Sequence, residues 1–293
     1  MADERNPRFV TVGFDLNIIA AEMRMRVNDV PVFRPGTVIG GEAEIDTSFP
    51  LNPVLRKGRN TVQIDVRMLP GASTGMTPFF RIDVGHWDNM GGHSSFDGRP
   101  MALRMQVDLA TPDADAPAVQ RLTPVVEGQP LVNANEPTRS DGTGIGDSWA
   151  TYSFQINVDV DLPPLAWMSG EVIDDTRKTR AELAAEMREV HAALGQGADA
   201  ALEVLKPYVT RQAAAVGATP EEWYPLFLAG DLDDPDLTLV PFDIDGAEFA
   251  TFGAGRLATF LPMPHRFEGT DGGMLTLQFY YWQDLNGHWQ IIH

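Results

Sequence analysis

The sequence predicts two domains of different class, an antiparallel β-sandwich over residues 1–162 and an α+β domain of helices packed on a curved antiparallel sheet over residues 163–293. Three observations predict it. Before Pro163-Pro164, apolar residues recur at every second position in one segment after another. Directly after that pair they recur at helical spacing, and the C-terminal stretch returns to strand patterning. A chain of 293 residues also suits two cores better than one, because single cores stop growing at about 250 to 300 residues. A hydrophobic content of 43%, with 15 Phe and 6 Trp, provides apolar surface for a core in each half.

Five segments of the first half alternate as strands with one wet and one buried face. Ala21, Met23, Met25 and Val27 oppose Glu22, Arg24 and Arg26. Val62, Ile64, Val66 and Met68 oppose Gln63, Asp65 and Arg67, and Phe80, Ile82 and Val84 oppose Arg81 and Asp83. Leu103, Met105, Val107 and Leu109 oppose Arg104, Gln106 and Asp108. Phe154, Ile156, Val158, Val160 and Leu162 oppose Gln155, Asn157, Asp159 and Asp161. Further strands are expected near residues 9–15 and 37–45. No helix-period segment separates these strands, so the crossovers that parallel pairing needs are missing and the sheets should be antiparallel, packed face to face.

The turns agree. Asn28-Asp29 follows one strand, and Arg56-Lys57-Gly58-Arg59-Asn60 precedes another, with Gly58 free to take positive φ. The stretch from Leu51 through Gly58 and Asn60 to Val62 resembles a turn of jelly-roll carbohydrate-binding modules, and the same geometry serves any sandwich that needs Gly and Asn there. Residues 85–98 hold His86, Trp87, Asp88, His93 and Asp97 among glycines. The spacing from His86 to His93 fits neither a helical nor a strand ligand pair, so no metal is expected, and His86 and Trp87 are read as binding contacts on a long surface loop. A second loop, 111–146, ends in Asp141-Gly142-Thr143-Gly144-Ile145-Gly146. A phosphate reading fails there, because neither a following helix nor a Lys is present.

The second domain begins at Leu162-Pro163-Pro164-Leu165, a stiff junction that should fix domain orientation. Thr179 with Glu182 forms a capping-box pattern, after which Leu183, Met187, Val190 and Leu194 recur at helical spacing before Gly195 and Gly197. A second helix should start near Ala198, with Pro207 breaking or kinking it. Thr219-Pro220-Glu221-Glu222 supplies an N-cap, a first-turn proline and two acids for a short helix carrying Trp223, Leu226 and Phe227. From Leu237 onward the pattern is β, with Gly253-Ala254-Gly255 as a bend or bulge and Asp284-Leu285-Asn286-Gly287 as a hairpin turn.

Helices first, then a β-meander ending in Phe279-Tyr280-Tyr281-Trp282 and Gly287-His288-Trp289-Gln290-Ile291-Ile292, resembles the NTF2-like family of cone-shaped α+β domains. The resemblance covers about residues 176–293 and implies a cone that serves as an enzyme site, a ligand trap or a packed interior. Enzymes of that family place an acid–base pair inside the cone, and His191, Tyr208, Tyr224, Asp243 and Tyr281 are the possible members here. His191 lies on the edge of the apolar stripe, where it either faces the cone or sits as a boundary histidine without a catalytic task. Arg256 is a lone base beside the glycines, with Asp243 or Glu248 as its expected structural ion-pair partner.

Charge bounds the partners. The net charge of −19 divides into 21 acids and 14 bases over 1–162, and 20 acids and 8 bases over 163–293. Contact with nucleic-acid phosphates or anionic lipid is unfavourable on such a surface, whereas a basic protein would be steered toward it. The densest acidic run, Asp231, Asp233, Asp234 and Asp236, lacks the Gly and distant Glu of an EF-hand and reads as an exposed turn or as an acidic loop offered to a cationic partner. Tyr224 and Trp223 border it. With no Cys, disulfides and thiolate metal sites are excluded. The polar start Met1-Ala2-Asp3-Glu4-Arg5-Asn6 and the absence of any long apolar run lead us to expect a cytoplasmic protein without a membrane span or cofactor.

The whole layout also resembles bacterial immunity proteins that neutralise antibacterial toxins, with a β-sandwich ahead of an NTF2-like domain. The leading expectation is therefore a non-enzymatic protein-binding protein that captures a basic toxin, such as a nuclease, through its acidic second domain and the loops at the domain junction. The alternatives are an NTF2-like small-molecule-binding protein, hydrolase or isomerase, and a carbohydrate-binding module. The last ranks lowest because the wet faces of the five strands carry charges and amides instead of Trp or Tyr.

Overall fold

The computed structural model describes residues 11–19, 21–33, 44–68, 79–87, 101–108, 118–121, 132–134, 138–140, 149–159, 162–215, 218–270, 272 and 274–292. It combines helices with antiparallel sheets and falls into two compact units, Met1–Pro163 and Pro164–His293. No helix among the described residues is long and apolar enough to cross a membrane.

The first unit holds β1 (Thr11–Ile19), β2 (Ala21–Val27), β3 (Val30–Phe33), β4 (Glu44–Pro50), β5 (Gly58–Met68), β6 (Phe79–Trp87), β7 (Met101–Asp108), β8 (Ala118–Arg121), β9 (Val132–Ala134), β10 (Thr138–Ser140) and β11 (Ala150–Val158). They form a five-stranded sheet ordered β4-β1-β6-β7-β8 and a six-stranded sheet ordered β10-β11-β5-β2-β3, in which β9 also pairs with β11. Every pairing is antiparallel. The register explains why the alternation in sequence is so clean. Met25, Ile64 and Tyr152 stand in one row across β2, β5 and β11, Met23, Val66 and Ala150 in the next, and Val27, Val62 and Phe154 in a third. All nine are buried, so one face of this sheet is dry and the opposite face is polar. Slipping any strand by one residue would exchange the two faces.

The turn predicted at Asn28-Asp29 joins β2 to β3, with both residues at positive φ (52° and 66°), the geometry of a tight hairpin. Asn60 locks the turn before β5. Its side-chain oxygen accepts from the Arg56 amide at 2.9 Å and from Asn28 Nδ2 at 2.8 Å, and its nitrogen donates to the Arg56 and Gly58 carbonyls at 2.8 and 2.9 Å. Asn28 Nδ2 also donates to the Val54 carbonyl at 2.8 Å, so two asparagines tie two loops together. Asn60 is fully buried with its donors and acceptors satisfied.

The second unit holds α1 (Arg177–Leu194), α2 (Ala198–Ala215), α3 (Pro220–Tyr224), a π-helical turn (Pro225–Ala229) and α4 (Gly230–Leu232). The strands β12 (Leu237–Leu239), β13 (Glu248–Phe252), β14 (Leu257–Leu261), β15 (Arg266–Gly269), β16 (Met274–Thr276), β17 (Tyr280–Gln283) and β18 (Trp289–Ile292) follow. They make two antiparallel sheets, β12-β15-β16 and β13-β14-β17-β18. The α2 helix is tied to β18 by Arg211, whose Nη atoms donate to Gln290 Oε1 and to the Ile291 carbonyl, both at 3.0 Å.

Three local expectations are corrected. The cap of α1 is Thr176, whose hydroxyl accepts from the Thr179 amide at 3.1 Å, so the helix starts one turn before the Thr179–Glu182 pattern. Pro207 does not interrupt α2. It forfeits the bond to the Glu203 carbonyl, but both residues are exposed, so water can serve that carbonyl while buried Leu205, Tyr208 and Val209 hold the helix in place. Gly253-Ala254-Gly255 is no bend within one strand. These three residues, all at positive φ (59°, 56° and 80°), form the turn of the β13–β14 hairpin.

Candidate functional site

The acidic run Asp231, Asp233, Asp234 and Asp236 lies on α4 and the turn after it, and all four residues are exposed. Two of them have structural tasks. Asp233 Oδ1 accepts from the Ala198 amide at 3.2 Å and so supplies the N-terminal cap of α2, where Gly197 at φ 93° leaves no side chain of its own. Asp234 Oδ1 accepts from the Asp236 amide at 2.9 Å and closes the turn into β12. Asp231, beside Asp234, has its pKa raised by partial burial and then by the neighbouring charge.

Tyr224 connects this edge to the interior. Its hydroxyl donates to the Ala198 carbonyl at 2.5 Å, and burial, followed by the charges of Asp233 and Asp199, pushes its pKa up to about 12. Trp223 is buried and meets Tyr208 edge-on at 5.8 Å. Of the expected binding residues on this edge, the four aspartates face solvent, whereas Trp223 and Tyr224 belong to the packing beneath them.

Arg256 is not paired with Asp243 or Glu248, and among the described residues it makes no ion pair at all. Its buried Nε has no hydrogen-bond partner among the described residues, while its backbone amide closes the 253–256 turn onto the Gly253 carbonyl. Asp243 is occupied locally, accepting from the Asp245 amide at 2.8 Å. His86 and Trp87 are the last residues of β6, in register with Val12 and Thr11, and are therefore strand residues, where a loop was expected. Asp88, His93, Asp97 and the Gly-rich run 141–146 lie outside the described residues.

Tyr281 was among the expected acid–base members, but its partner, His265, was not. His265 Nε2 stands 3.1 Å from the Tyr281 hydroxyl, with both side chains buried in the second unit. The His265 ring stacks on His191 at 5.7 Å and meets Phe279 at 5.5 Å, and His191 meets Phe242 at 5.2 Å. Burial drives the His265 pKa down to about 3, helped by the nearby His191. It drives Tyr281 up, with the Glu186 charge adding to the effect. Burial also lowers His191, against a raising influence from the Val240 backbone. Both histidines are therefore neutral at pH 7, and the Nδ1 atom of each is buried without a hydrogen-bond partner among the described residues. His265 carries no sequence signal beyond a lone histidine after Pro264, which is why periodicity passed it over. Among the described residues, no three His, Asp or Glu side chains gather as a metal site would need.

The polar face of the six-stranded sheet carries one aromatic that the strand patterns did not include. Trp149, just before β11, has the guanidinium groups of Arg24 and Arg67 at 4.2 and 4.8 Å from its ring centre. Arg67 is itself held by Glu22 at 2.6 Å. Toward the other end of the same strands lies a groove of about 330 Å³, lined by Arg26, Thr61, Gln63, Thr138, Ser153 and Gln155 among others. No family model matches this chain, and neither a curated protein nor a solved structure matches it.

Proposed function

We propose that this chain is a non-enzymatic binding protein that neutralises a basic protein, such as an antibacterial toxin, through the acidic exterior of its second unit. The observation that carries this reading is uncompensated surface charge. The second half holds 20 acids against 8 bases, and among its described residues only two ion pairs with Lys or Arg form, Asp175–Arg180 and Lys178–Glu182. Asp231, Asp233, Asp234 and Asp236 are exposed along one such stretch, held by a cap and a turn that fix their backbone. Rigid, unpaired acids of this kind steer a cationic partner and lose little freedom on contact.

The finer architecture we propose is a face-to-face sandwich in the first unit and an NTF2-like cone in the second. The first is supported by the dry face of the six-stranded sheet, and the second by helices ahead of a meander whose aromatic strand β17 is buried. An immunity role would place the protein in the cytoplasm of the toxin's producer. The test is to immobilise the intact chain, identify the protein it retains stoichiometrically, and express that protein in cells with and without the chain. A basic partner whose toxicity the chain abolishes supports the reading; a partner that is acidic, or whose toxicity is unaffected, refutes it.

A second reading rests on the His265–Tyr281 pair. A neutral histidine 3.1 Å from a phenol is an arrangement for moving a proton, as an isomerase or hydrolase would need. The rings of His191, Phe242 and Phe279 pack around His265, and for that reason we rank this reading second.

A further inference from the structure

We propose that the groove on the polar face of the six-stranded sheet binds a neutral, polyhydroxylated ligand, the end of a glycan. Its volume of about 330 Å³ lies at the small end of the range for ligand sites. The lining is assembled by sheet register. Gln63 on β5 stands between Ser153 on β11 and Arg26 on β2, with Thr138 on β10 beyond Ser153, and Thr61 faces Gln155 in the adjacent row. Four neighbouring strands thus place short hydroxyl and amide side chains on one rigid surface, where successive positions lie about 4.8 Å apart across the strands.

The groups are oriented and have capacity to spare. Gln63 Nε2 donates to Asp65 Oδ1 at 3.1 Å, and Asp65 Oδ1 also accepts from the Thr151 hydroxyl at 2.7 Å, which leaves Gln63 Oε1 fixed as an acceptor. Thr138 donates to the Ser153 carbonyl at 3.2 Å, and its hydroxyl oxygen remains an acceptor. Arg26 lies 3.6 Å from both Asp29 and Asp65, close enough for charge attraction but beyond hydrogen-bond distance, so these two carboxylates leave its N–H groups available to an acceptor.

Charge and shape select the ligand class. Arg26 with Asp29 and Asp65 leaves one negative charge, which repels an anion, and a cation would have to compete with Arg26 for carboxylates of which Asp65 already accepts from Gln63 and Thr151. An apolar molecule would strand the amides and hydroxyls without partners. An added β-strand would pair along an outer edge, that of β10 or β3, whereas the lining side chains stand on the polar face of β10, β11, β5 and β2. A sugar hydroxyl, donor and acceptor at once, matches every group named.

The experiment applies the intact chain to an array of neutral and anionic glycans, then repeats it with Gln63→Ala and with Ser153→Tyr, which removes the acceptor in one case and fills the groove in the other. Circular dichroism checks that each variant is folded, and Gln63→Ala, a half-exposed polar truncation, carries the test if Ser153→Tyr does not fold. Retention of a neutral glycan that weakens at least tenfold in the folded variants is the expected result. No retained neutral glycan, retention of anionic glycans alone, or binding at the wild-type level in a folded variant overturns the proposal. Asp231→Asn on the second unit leaves glycan binding unchanged, so this site stands or falls apart from the toxin-binding reading.

Discussion

Asn60 shows how one side chain can hold a loop. It spends four hydrogen bonds on Arg56, Gly58 and Asn28 while fully buried, so Asn60→Ala removes them and leaves backbone groups unpaired. A loss of about 3 kcal/mol is expected in urea unfolding of the first unit. The sequence announced a turn over 56–60, whereas Gly58, Arg59 and Asn60 already pair within β5, and it did not announce that Asn28, thirty-two residues away, joins the lock, because only register brings the two together. His265 was less legible still, being a lone histidine without periodic neighbours. Its folded pKa of about 3 lies below the ordinary 6.5, so between those values the unfolded chain holds a proton that the native state refuses. Linkage then runs in one direction: stability is full above pH 6.5 and falls as pH drops toward 3, by up to about 1.4 kcal/mol per pH unit. His191, lowered for the same reason, adds to the same slope. Denaturant midpoints of the second unit measured from pH 7 to pH 5 should decline, and His265→Gln should flatten part of that decline.

At the scale of elements, strand positions were readable because a half-buried strand writes its burial at every second residue. The expected Ala21–Val27 segment coincides with β2, and its buried and exposed residues alternate as the pattern required. Helix interiors were readable for the same reason, with Leu183, Met187, Val190 and Leu194 all buried on α1. Helix ends were less so. Thr176 and Thr179 both offer a capping oxygen, and the choice between them depends on where Ile173 is buried and where Asp175 meets Arg180, which local pattern does not contain. Thr176→Ala should destabilise the second unit by about 1 kcal/mol, with Thr179→Ala costing less, as thermal unfolding would show. The cap that Asp233 gives α2 comes from thirty-five residues away and was invisible from sequence. Asp233→Ala should therefore lower stability by about 1 kcal/mol, whereas Asp236→Ala, whose carboxylate caps nothing, should leave the melting temperature nearly unchanged.

Across the whole molecule, the two units differ in kind as well as in fold. The first is a sheet structure whose six-stranded sheet has one dry and one polar face, and the second is a helix-and-sheet structure with an aromatic interior and an excess of acids. Composition made the charge asymmetry legible, because net charge survives any folding. It could not separate acids that face a partner from acids that cap and turn the backbone, and Asp233 and Asp234 turn out to do the latter while remaining exposed. We propose that the second unit acts through its exterior charge. Stopped-flow association with the retained basic partner at increasing ionic strength tests it most directly, comparing the wild type with an Asp231→Asn, Asp234→Asn, Asp236→Asn variant that spares the Asp233 cap. The account predicts an association rate that falls steeply with salt and is about tenfold lower in the variant at low salt, with dissociation less affected. An association rate independent of salt and identical in the two proteins would contradict it.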